Sequence, residues 1–244
     1  MIALTFDTDY VDDRRMAEFL DLVTIPGEAT FFCTRRYAVL DGMQHELCPH
    51  PTLQAGADWS DELERYRALF PAAIGWRSHS CVYSHLIAEH LAAEGYVYAS
   101  TVDRLGEPRP RPYREAWGLW QLPIYYMDNL DFSARRHWPL AITEPFAPNL
   151  IERALTDDGV YIFDFHPIHV LLNSPSAEAY FERRDAFLTG SPLAELRHAG
   201  PGTHDFYGVL IAAMEAAGTA SVTLADALRV SVEDGGVPNM PASP

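Results

Sequence analysis

The sequence IALTFDTDY at residues 2–10 contains the pattern that decides the fold. An apolar run stops abruptly at Asp7, which is typical of a buried strand that ends at a polar edge. Residues i and i+2 of an extended chain face the same side, so Asp7 and Asp9 point into one space. Neighbouring carboxylates repel each other unless a cation neutralises them, which indicates a divalent-metal site. An ordinary acidic turn is the alternative, because Asp12 and Asp13 follow directly.

Strand and helix signals alternate along the rest of the chain. Apolar runs predict strands at residues 2–6, 29–33, 75–77, 96–100, 118–122, 160–165 and 221–223. Helical spacing predicts helices at residues 12–23, 60–70, 83–93, 177–188, 205–217 and 225–228. An exposed loop or hairpin is expected at residues 104–114, which are rich in proline and arginine. The alternation predicts an α/β fold with a mostly parallel sheet or barrel, whose chemistry lies at the carboxyl ends of the strands.

Length and composition indicate a single globular domain. The chain has 244 residues, the size of one α/β barrel, and its 48% hydrophobic content differs from that of a disordered chain. We expect the domain to cover residues 1–230. A flexible tail rich in glycine and proline is expected at residues 231–244.

The charged residues exclude several chemistries. The 18 basic residues are all arginine, which excludes a Schiff-base lysine, a pyridoxal-phosphate anchor and a P-loop lysine. With 34 acidic residues the formal net charge is −16, which argues against a nucleic-acid partner.

Cysteine content and the N-terminal segment predict a cytoplasmic protein. Three cysteines without a CxxC pair favour reduced thiols over a disulfide framework. The segment MIALTFDTDY has no basic region of the kind that opens a signal peptide. No apolar stretch approaches the length of a membrane span, so no membrane insertion is expected.

Three more polar segments follow predicted strands or precede turns. HELCPHP at residues 45–51 carries two histidines that do not share a helix or strand face, so at most one joins a common site unless the chain bends. In RSHS at residues 77–80, Arg77 and His79 share a strand face, and an arginine can orient a carboxylate. In FDFHPIH at residues 163–169, His166 leaves an apolar strand tip and suits a general acid.

The combination of these segments resembles the polysaccharide deacetylase family, carbohydrate esterase family 4. TFDTDY resembles its first motif, ATFF at residues 29–32 its second strand, and HELCPHP its metal-histidine stretch. GWRSHS, LP at residues 122–123, FDFH and SVTLADAL at residues 221–228 resemble its later motifs and its end. The pattern is most similar to a branch found with O-antigen biosynthesis, the WbmS type. The resemblance implies a single-domain distorted (β/α)7-type barrel.

Carried over residue by residue, the resemblance makes Asp9 and His50 metal ligands. The family's third ligand lies four residues after the second, where this chain has Gln54, a poor zinc ligand. We therefore assign the third ligand to His79, with His45 and His85 as alternatives.

The same resemblance supplies the catalytic and substrate-binding expectations. Asp7 is the expected base, Arg77 orients it, and His166 is the expected acid. His169 or Asp164 supports His166, and Asp128 tunes it. The residues expected to bind substrate are Tyr10, Trp76, His169 and Asp128. Aromatic candidates for stacking on sugar rings are Tyr10, Trp59, Trp76, Tyr125, Tyr126 and Trp138.

The implied activity is that of a metal-dependent carbohydrate N-deacetylase. The expected cofactor is a divalent metal, zinc first, with cobalt, nickel or manganese as alternatives. The expected partner is an acetamido sugar that is nucleotide-linked, lipid-linked or oligomeric, and the oligomeric state stays open. An O-deacetylase or a non-sugar amide hydrolase is the alternative activity. The departure at Gln54 also leaves open a catalytically inactive member that binds carbohydrate or protein.

Overall fold

The computed structural model describes residues 1–54, 58–133 and 144–234 of the chain. The strands are β1 (Ile2–Asp7), β2 (Ala29–Cys33), β3 (Glu46–Pro49), β4 (Gly75–Trp76), β5 (Tyr98–Ala99), β6 (Tyr113–Arg114), β7 (Trp120–Gln121), β8 (Tyr126–Met127) and β9 (Tyr161–Phe165). The α-helices are α1 (Asp13–Leu22), α2 (Ser60–Leu69), α3 (His85–Ala93), α4 (Asp128–Asp131), α5 (Pro148–Thr156), α6 (Pro167–Leu172), α7 (Ala177–Leu188), α8 (Leu193–Leu196), α9 (Thr203–Ala216) and α10 (Leu224–Asp234). The predicted α/β class is confirmed.

The strands form two sheets that together give a distorted barrel. The first sheet has the order β3-β2-β1-β9-β8 and is parallel throughout. The second has the order β4-β5-β7-β6, and β6 alone runs antiparallel. Its hairpin with β7 begins at Tyr113, so the segment expected as a loop or hairpin at residues 104–114 is a loop up to residue 112. A backbone bond from His79 N to Pro51 O (2.9 Å) links the segments that follow β4 and β3, and one from Gly106 N to Tyr125 O (2.9 Å) links the segment after β5 to the residue before β8. Within the described residues the strand pairing is therefore not continuous around the barrel.

The central strands are buried because helices cover the parallel sheet. Every residue of β1, β2 and β9 is buried. Phe6 of β1 packs against Phe31 of β2 and Phe19 of α1, with ring centroids 4.9 and 5.1 Å apart. This packing fixes β1 at the centre, so the chain leaves it at Asp7 in a rigid position.

The C-terminal segment differs from the prediction. Residues 221–223 form no strand but only an isolated bridge between Ser221 and Gly27, because β1 already pairs with β2 and β9. The following helix runs from Leu224 to Asp234 and passes the expected domain boundary at residue 230. Leu228 and Val232, four residues apart on this helix, pack into a buried cluster, which explains the longer helix. Residues 235–244 of the expected tail lie outside the described residues.

Cys33, Cys48 and Cys81 are free thiols, and the first two are buried. None of the helices in the described part of the chain has both the length and the hydropathy needed to cross a membrane.

Candidate metal and catalytic site

The site lies where three parallel strands end. β1 ends at Asp7, β3 at Pro49 and β4 at Trp76, and the polar segment that follows each strand turns toward the same space. Asp9 and His50 are almost completely buried there, and the His79 side chain is about one third exposed. The structure thus brings together the three residues assigned as metal ligands.

Asp9, His50 and His79 converge on a small volume. The Asp9 Oδ2 atom lies 3.0 Å from His50 Nε2 and 3.0 Å from His79 Nδ1, and one ligand atom from each residue lies within 4.8 Å of the others. The His50 Nδ1–H donates to the Arg77 carbonyl oxygen at 3.1 Å, which leaves Nε2 to face Asp9. Metal-binding histidines are oriented in this way, through the ring nitrogen that does not bind the metal.

The residues present fit a divalent cation. The buried His79 Nδ1 has no hydrogen-bond partner among the described residues, although it lies 3.0 Å from the Asp9 carboxylate. Burial would raise the pKa of Asp9, but the charge and hydrogen bond of His50 and the nearby His79 ring hold it well below its usual range. Burial opposes a charged His50, yet Asp7 and Asp9 raise its pKa. This negative potential attracts a cation, and two nitrogens with one oxygen form a donor set that zinc accepts.

The alternative third ligands lie elsewhere. His45 Nδ1 accepts from Ala29 N (3.3 Å) at the amino end of β2, on the opposite side of the sheet from the site. His85 is exposed on the first turn of α3, and Gln54 is exposed as well. Of the three candidate histidines, all among the described residues, only His79 groups with Asp9 and His50, whereas His45 and His85 lie away from the cluster.

Arg77 binds the Asp7 carboxylate on the side away from the pocket. Its Nη1 donates to Asp7 Oδ1 at 2.8 Å and also contacts Asp164 Oδ1. Its Nε and Nη2 donate to the carbonyl and hydroxyl oxygens of Ser100 at 2.7 and 2.8 Å, and the guanidinium packs over the Phe32 ring at 4.1 Å. Burial raises the pKa of Asp164 to about 7, against the lowering effect of Arg77.

One carboxylate oxygen of Asp7 is bound by Arg77, and the other faces the cluster of Asp9, His50 and His79. Oδ1 is held by Arg77, whereas Oδ2 lies 3.8 Å from His50 Nε2. Asp7 also groups with Asp164 and His166, their nearest ligand atoms lying within 4.8 Å of one another. The expected base and acid therefore lie on the rim of the same cluster.

His166 is held by Asp128 at two points. The His166 backbone N–H donates to Asp128 Oδ2 and its Nδ1–H to Oδ1, both at 2.8 Å. Burial would lower the pKa of His166, but the Asp128 charge and hydrogen bond raise it to about 10. Both oxygens of the buried Asp128 are engaged, so it positions His166 and does not reach a substrate. The expectation that Asp128 binds substrate is corrected accordingly.

A pocket of about 320 Å³ opens onto these residues. Asp9, His79 and His166 line it, together with Tyr10 and His169 from the expected substrate-binding set. Tyr10 adopts the left-handed backbone conformation (φ 61°) and is 49% exposed. A non-glycine residue held in this conformation is common at ligand sites.

Other aromatic candidates do not reach this pocket. Trp76 is fully buried in the core, so the prediction that it contacts substrate is wrong. Tyr125 and Tyr126 are also fully buried. Trp59 is half-buried against the core and donates to the Gln54 carbonyl oxygen. Trp138 lies outside the described residues.

Sequence reasoning missed one wall of the pocket. The described residues that line it also include Asn129, Phe132, Ser133, Ile168, Ala177, Tyr180, Phe181 and Arg184. Four of these belong to α7, whose position next to the site depends on packing and not on local sequence. The one signal in the sequence was the segment YFERR at residues 180–184, which combines two aromatic residues with two arginines in a predicted helix.

The fold and site together define an α/β barrel-type protein with an Asp/His cluster at the carboxyl ends of its strands. The family model for WbmS-like polysaccharide deacetylases matches residues 4–184. This span is well over half of the chain, and the chain therefore belongs to that family. The resemblance seen in the motifs is confirmed.

Two crystal structures share the fold. A protein from Bordetella bronchiseptica, assigned as a polysaccharide deacetylase involved in O-antigen biosynthesis, is 24% identical with a TM-score of 0.69. The match covers 86% of this chain and 89% of that one. A protein from Mycobacterium smegmatis, assigned as a polysaccharide deacetylase, is 17% identical with a TM-score of 0.56, over 100% of this chain and 93% of that one. No curated protein matches the chain significantly.

Proposed function

We propose that this protein is a metal-dependent hydrolase that removes the N-acetyl group from an amino sugar in a glycan or glycan precursor. The observation that carries the proposal is the convergence of Asp9, His50 and His79 beside Asp7 and His166 at one pocket. Membership of a polysaccharide deacetylase family supports a deacetylase that acts on carbohydrate.

Asp9, His50 and His79 are the residues that would hold the metal. A divalent ion held there, zinc first and cobalt, nickel or manganese as alternatives, would polarise the acyl carbonyl and lower the pKa of a water molecule. The ring orientation of His50, fixed by its bond to the Arg77 carbonyl oxygen, prepares its Nε2 for this role.

Asp7 is the proposed general base. Its Oδ1 is immobilised by Arg77, so the free Oδ2 faces the ligand cluster in one orientation and can take a proton from the attacking water. Arg77 acts through Asp7 and does not itself reach the pocket, since its side chain is fully buried. It is therefore a positioning residue.

His166 is the proposed general acid. Because its pKa is raised to about 10, the ring is protonated at neutral pH and can donate from Nε2 while Nδ1 stays bound to Asp128. An amine leaving group must be protonated before it departs, whereas an alcohol leaves more readily. A cationic acid therefore favours amide over ester hydrolysis, and O-deacetylation is the second activity to test.

The proposed substrate is an acetamido sugar carried by a nucleotide, a lipid or an oligosaccharide. The pocket volume of about 320 Å³ is at the lower end for a small-molecule site and suits one sugar ring with its acyl group. Tyr10, exposed at the rim, is the remaining candidate for stacking on the sugar. Free thiols at all three cysteines support a reducing, cytoplasmic location for the reaction.

The decisive experiment combines metal analysis with acetate release. The purified protein is analysed for bound metals and then assayed on nucleotide-linked and oligomeric acetamido sugars and on matched O-acetyl and non-sugar amides. We expect close to one divalent ion per chain and acetate release from an N-acetyl sugar. His50→Ala should lose both metal and activity, whereas Asp7→Asn should keep the metal and lose activity.

His45→Ala is the matched control, because His45 lies at the far end of the same strand region. It should keep both the metal and the activity. Full metal content and activity in His50→Ala would contradict the ligand assignment. A wild-type protein without metal that releases acetate from no compound would instead support an inactive binding member of the family.

A further inference from the structure

One face of α7 forms the outer wall of the pocket. Ala177, Tyr180 and Arg184 are spaced at i, i+3 and i+7, so they lie along the same side of the helix, and all three line the pocket. Arg184 therefore lies about 6 Å along the helix axis beyond Tyr180.

A chain of ring contacts connects the α7 wall to His166, the proposed acid. The His166 and His169 rings are 5.2 Å apart, and the His169 and Tyr180 rings are 4.5 Å apart. Arg184 follows one helical turn after Tyr180, so the His169 and Tyr180 rings lie between His166 and Arg184 along the pocket lining. With the acyl group placed at His166, a group bound by Arg184 is a different substituent of the sugar.

His169 is a second polar group in this wall. It is 4% exposed and lines the pocket, and its Nδ1 has no hydrogen-bond partner among the described residues. A buried polar atom without a partner is uncommon in a folded protein and calls for one from a ligand or water. His169 marks the stretch between the acid and Arg184 as a place where a polar ligand binds.

The charge of the pocket differs from that of the whole chain. The chain has 34 acidic residues and 18 arginines, yet Asp9 is the only carboxylate among the 13 described residues that line the pocket. Asp9 is already engaged with His50 and His79. Arg184 is the only arginine among the described residues of the lining, so it supplies the cationic side chain at the far end of the pocket.

The Arg184 guanidinium is available to a ligand. Its hydrogen bonds among the described residues go only to Asp185, at 3.2 and 3.3 Å, and the Asp185 side chain is 83% exposed. Exposed ion pairs are weak, so a ligand can displace this one. The guanidinium also packs over the Phe181 ring at 5.5 Å, which limits its motion. Arginine binds phosphate and carboxylate through paired N–H donors.

We infer that the substrate carries an anionic group, a phosphate or a carboxylate, that Arg184 binds one sugar ring away from the scissile acetamide. This inference rests on the proposed deacetylase function, and it restricts the substrate to charged acetamido sugars such as a sugar phosphate, a nucleotide sugar or an acetamido uronic acid. Arg184 is then a specificity-determining residue for this reaction.

The test compares charged and neutral forms of the same sugar. Acetate release is measured for methyl N-acetylglucosaminide, N-acetylglucosamine 1-phosphate, its nucleoside-diphosphate derivative and the corresponding acetamido uronic acid, with the galacto series in parallel. We expect a KM at least about tenfold lower for one anionic class. Arg184→Gln should remove that preference by raising the KM of the anionic substrate with little change in kcat, and Arg184→Lys should restore part of it. Which anionic class is preferred distinguishes phosphate from carboxylate.

Arg183→Gln is the matched control, because it makes the same charge change one residue away, and Arg183 does not line the pocket. It should leave the preference unchanged. Equal kcat/KM values for charged and neutral sugars in the wild type would overturn the inference while the deacetylase proposal stands. The same conclusion follows if Arg184→Gln affects both sugars alike.

A calorimetric arm separates failure of the inference from failure of the proposed function. The same sugars are titrated into the wild-type protein and into Arg184→Gln. If no compound releases acetate, tighter binding of the anionic sugar that is lost in Arg184→Gln would still support the Arg184 site and would contradict only the hydrolase. Equal binding of charged and neutral sugars would overturn the Arg184 site.

Discussion

The Nδ1 atom of His166 lies 2.8 Å from Asp128 Oδ1, while the backbone N–H of His166 donates to the other oxygen of the same carboxylate at 2.8 Å. One buried carboxylate thereby fixes both the ring and the backbone of the proposed acid. The same contact sets the charge of the ring, since Asp128 raises the pKa of His166 to about 10 against the effect of burial. Position and protonation of His166 are thus coupled through Asp128.

Asp128→Asn should shift the alkaline limb of the pH–rate profile to lower pH. Without the charge of Asp128, burial dominates and the pKa of His166 falls from about 10 toward or below its ordinary value of about 6.5. Because the reaction needs the protonated ring, kcat/KM at about pH 8 should drop more than about tenfold. Acetate release measured between about pH 6 and pH 10 checks this. Asp21→Asn, on the exposed end of α1, is the control, and an unchanged alkaline limb would show that His166 is not the acid.

The same pair should make stability depend on pH. The pKa of His166 is higher in the folded chain than its unfolded value of about 6.5, so its contribution is complete below about pH 6.5 and is lost as the pH rises through about 10. The pKa of Asp128 is lowered, because His166 and His169 outweigh its burial, so its contribution is lost only in acid. Asp128→Asn should therefore cost roughly 2 kcal/mol at about pH 6 and clearly less at about pH 10. Urea unfolding at both pH values measures this, and a constant difference would argue against the charged pair.

Arg77→Lys should lower kcat although it conserves the charge. Arg77 reaches Asp7, Asp164 and both oxygens of Ser100 with a planar fork, whereas a lysine ammonium cannot replace all these donors at once. The buried carboxylates lose partners, so we expect a stability loss of roughly 3 kcal/mol and a kcat about 100-fold lower. Metal content should stay near that of the wild type, because none of the three ligands is changed. Arg36→Lys on the exposed surface is the control. Unchanged kcat would show that Asp7 needs no orientation by Arg77.

The sequence allowed the central part of the fold and of the site to be predicted, because each signal was local. β2 and α7 occupy the predicted residues, since an uninterrupted apolar run and a capped helix leave few alternatives. The assignment of Asp9 and His50 came from the resemblance and that of His79 from a predicted strand end, and the structure brings the three side chains together. The roles of these residues stay predictions until metal and activity are measured.

The errors arose where tertiary packing decides the structure. Trp76 was counted among the aromatic residues that could stack on a sugar ring, but it lies in the two-residue strand β4 with its indole in the core. The strand expected at residues 221–223 has the right composition but no free edge of β1 to pair with. The α7 wall of the pocket depends on contacts with α1 that are far away in sequence.

Arg15 is the residue of α1 that carries this distant contact. It is 3% exposed, its Nη2 donates to the carbonyl oxygens of Phe187 (3.4 Å) and Ser191 (2.7 Å), and its guanidinium lies 4.3 Å from the centre of the Phe187 ring. The C-terminal end of α7 is thereby tied to the helix that directly follows the Asp7–Asp9 segment. Arg15 therefore links the α7 wall of the pocket to the helix that follows the proposed metal-binding segment.

Arg15→Met should loosen the wall without touching the reacting groups. The methionine keeps the apolar contact with Phe187 but removes both bonds to the carbonyl oxygens, so α7 should move more freely and KM should rise about threefold to tenfold while kcat changes little. Unfolding free energy should fall by roughly 1–3 kcal/mol. The matched control is Arg14→Met, since Arg14 is exposed and its one ion pair among the described residues is with Glu18. Steady-state kinetics and urea unfolding on both variants measure these changes. A fall in kcat at constant KM would contradict the prediction, since it would mean that α1 acts on the catalytic groups and not on the pocket wall formed by α7.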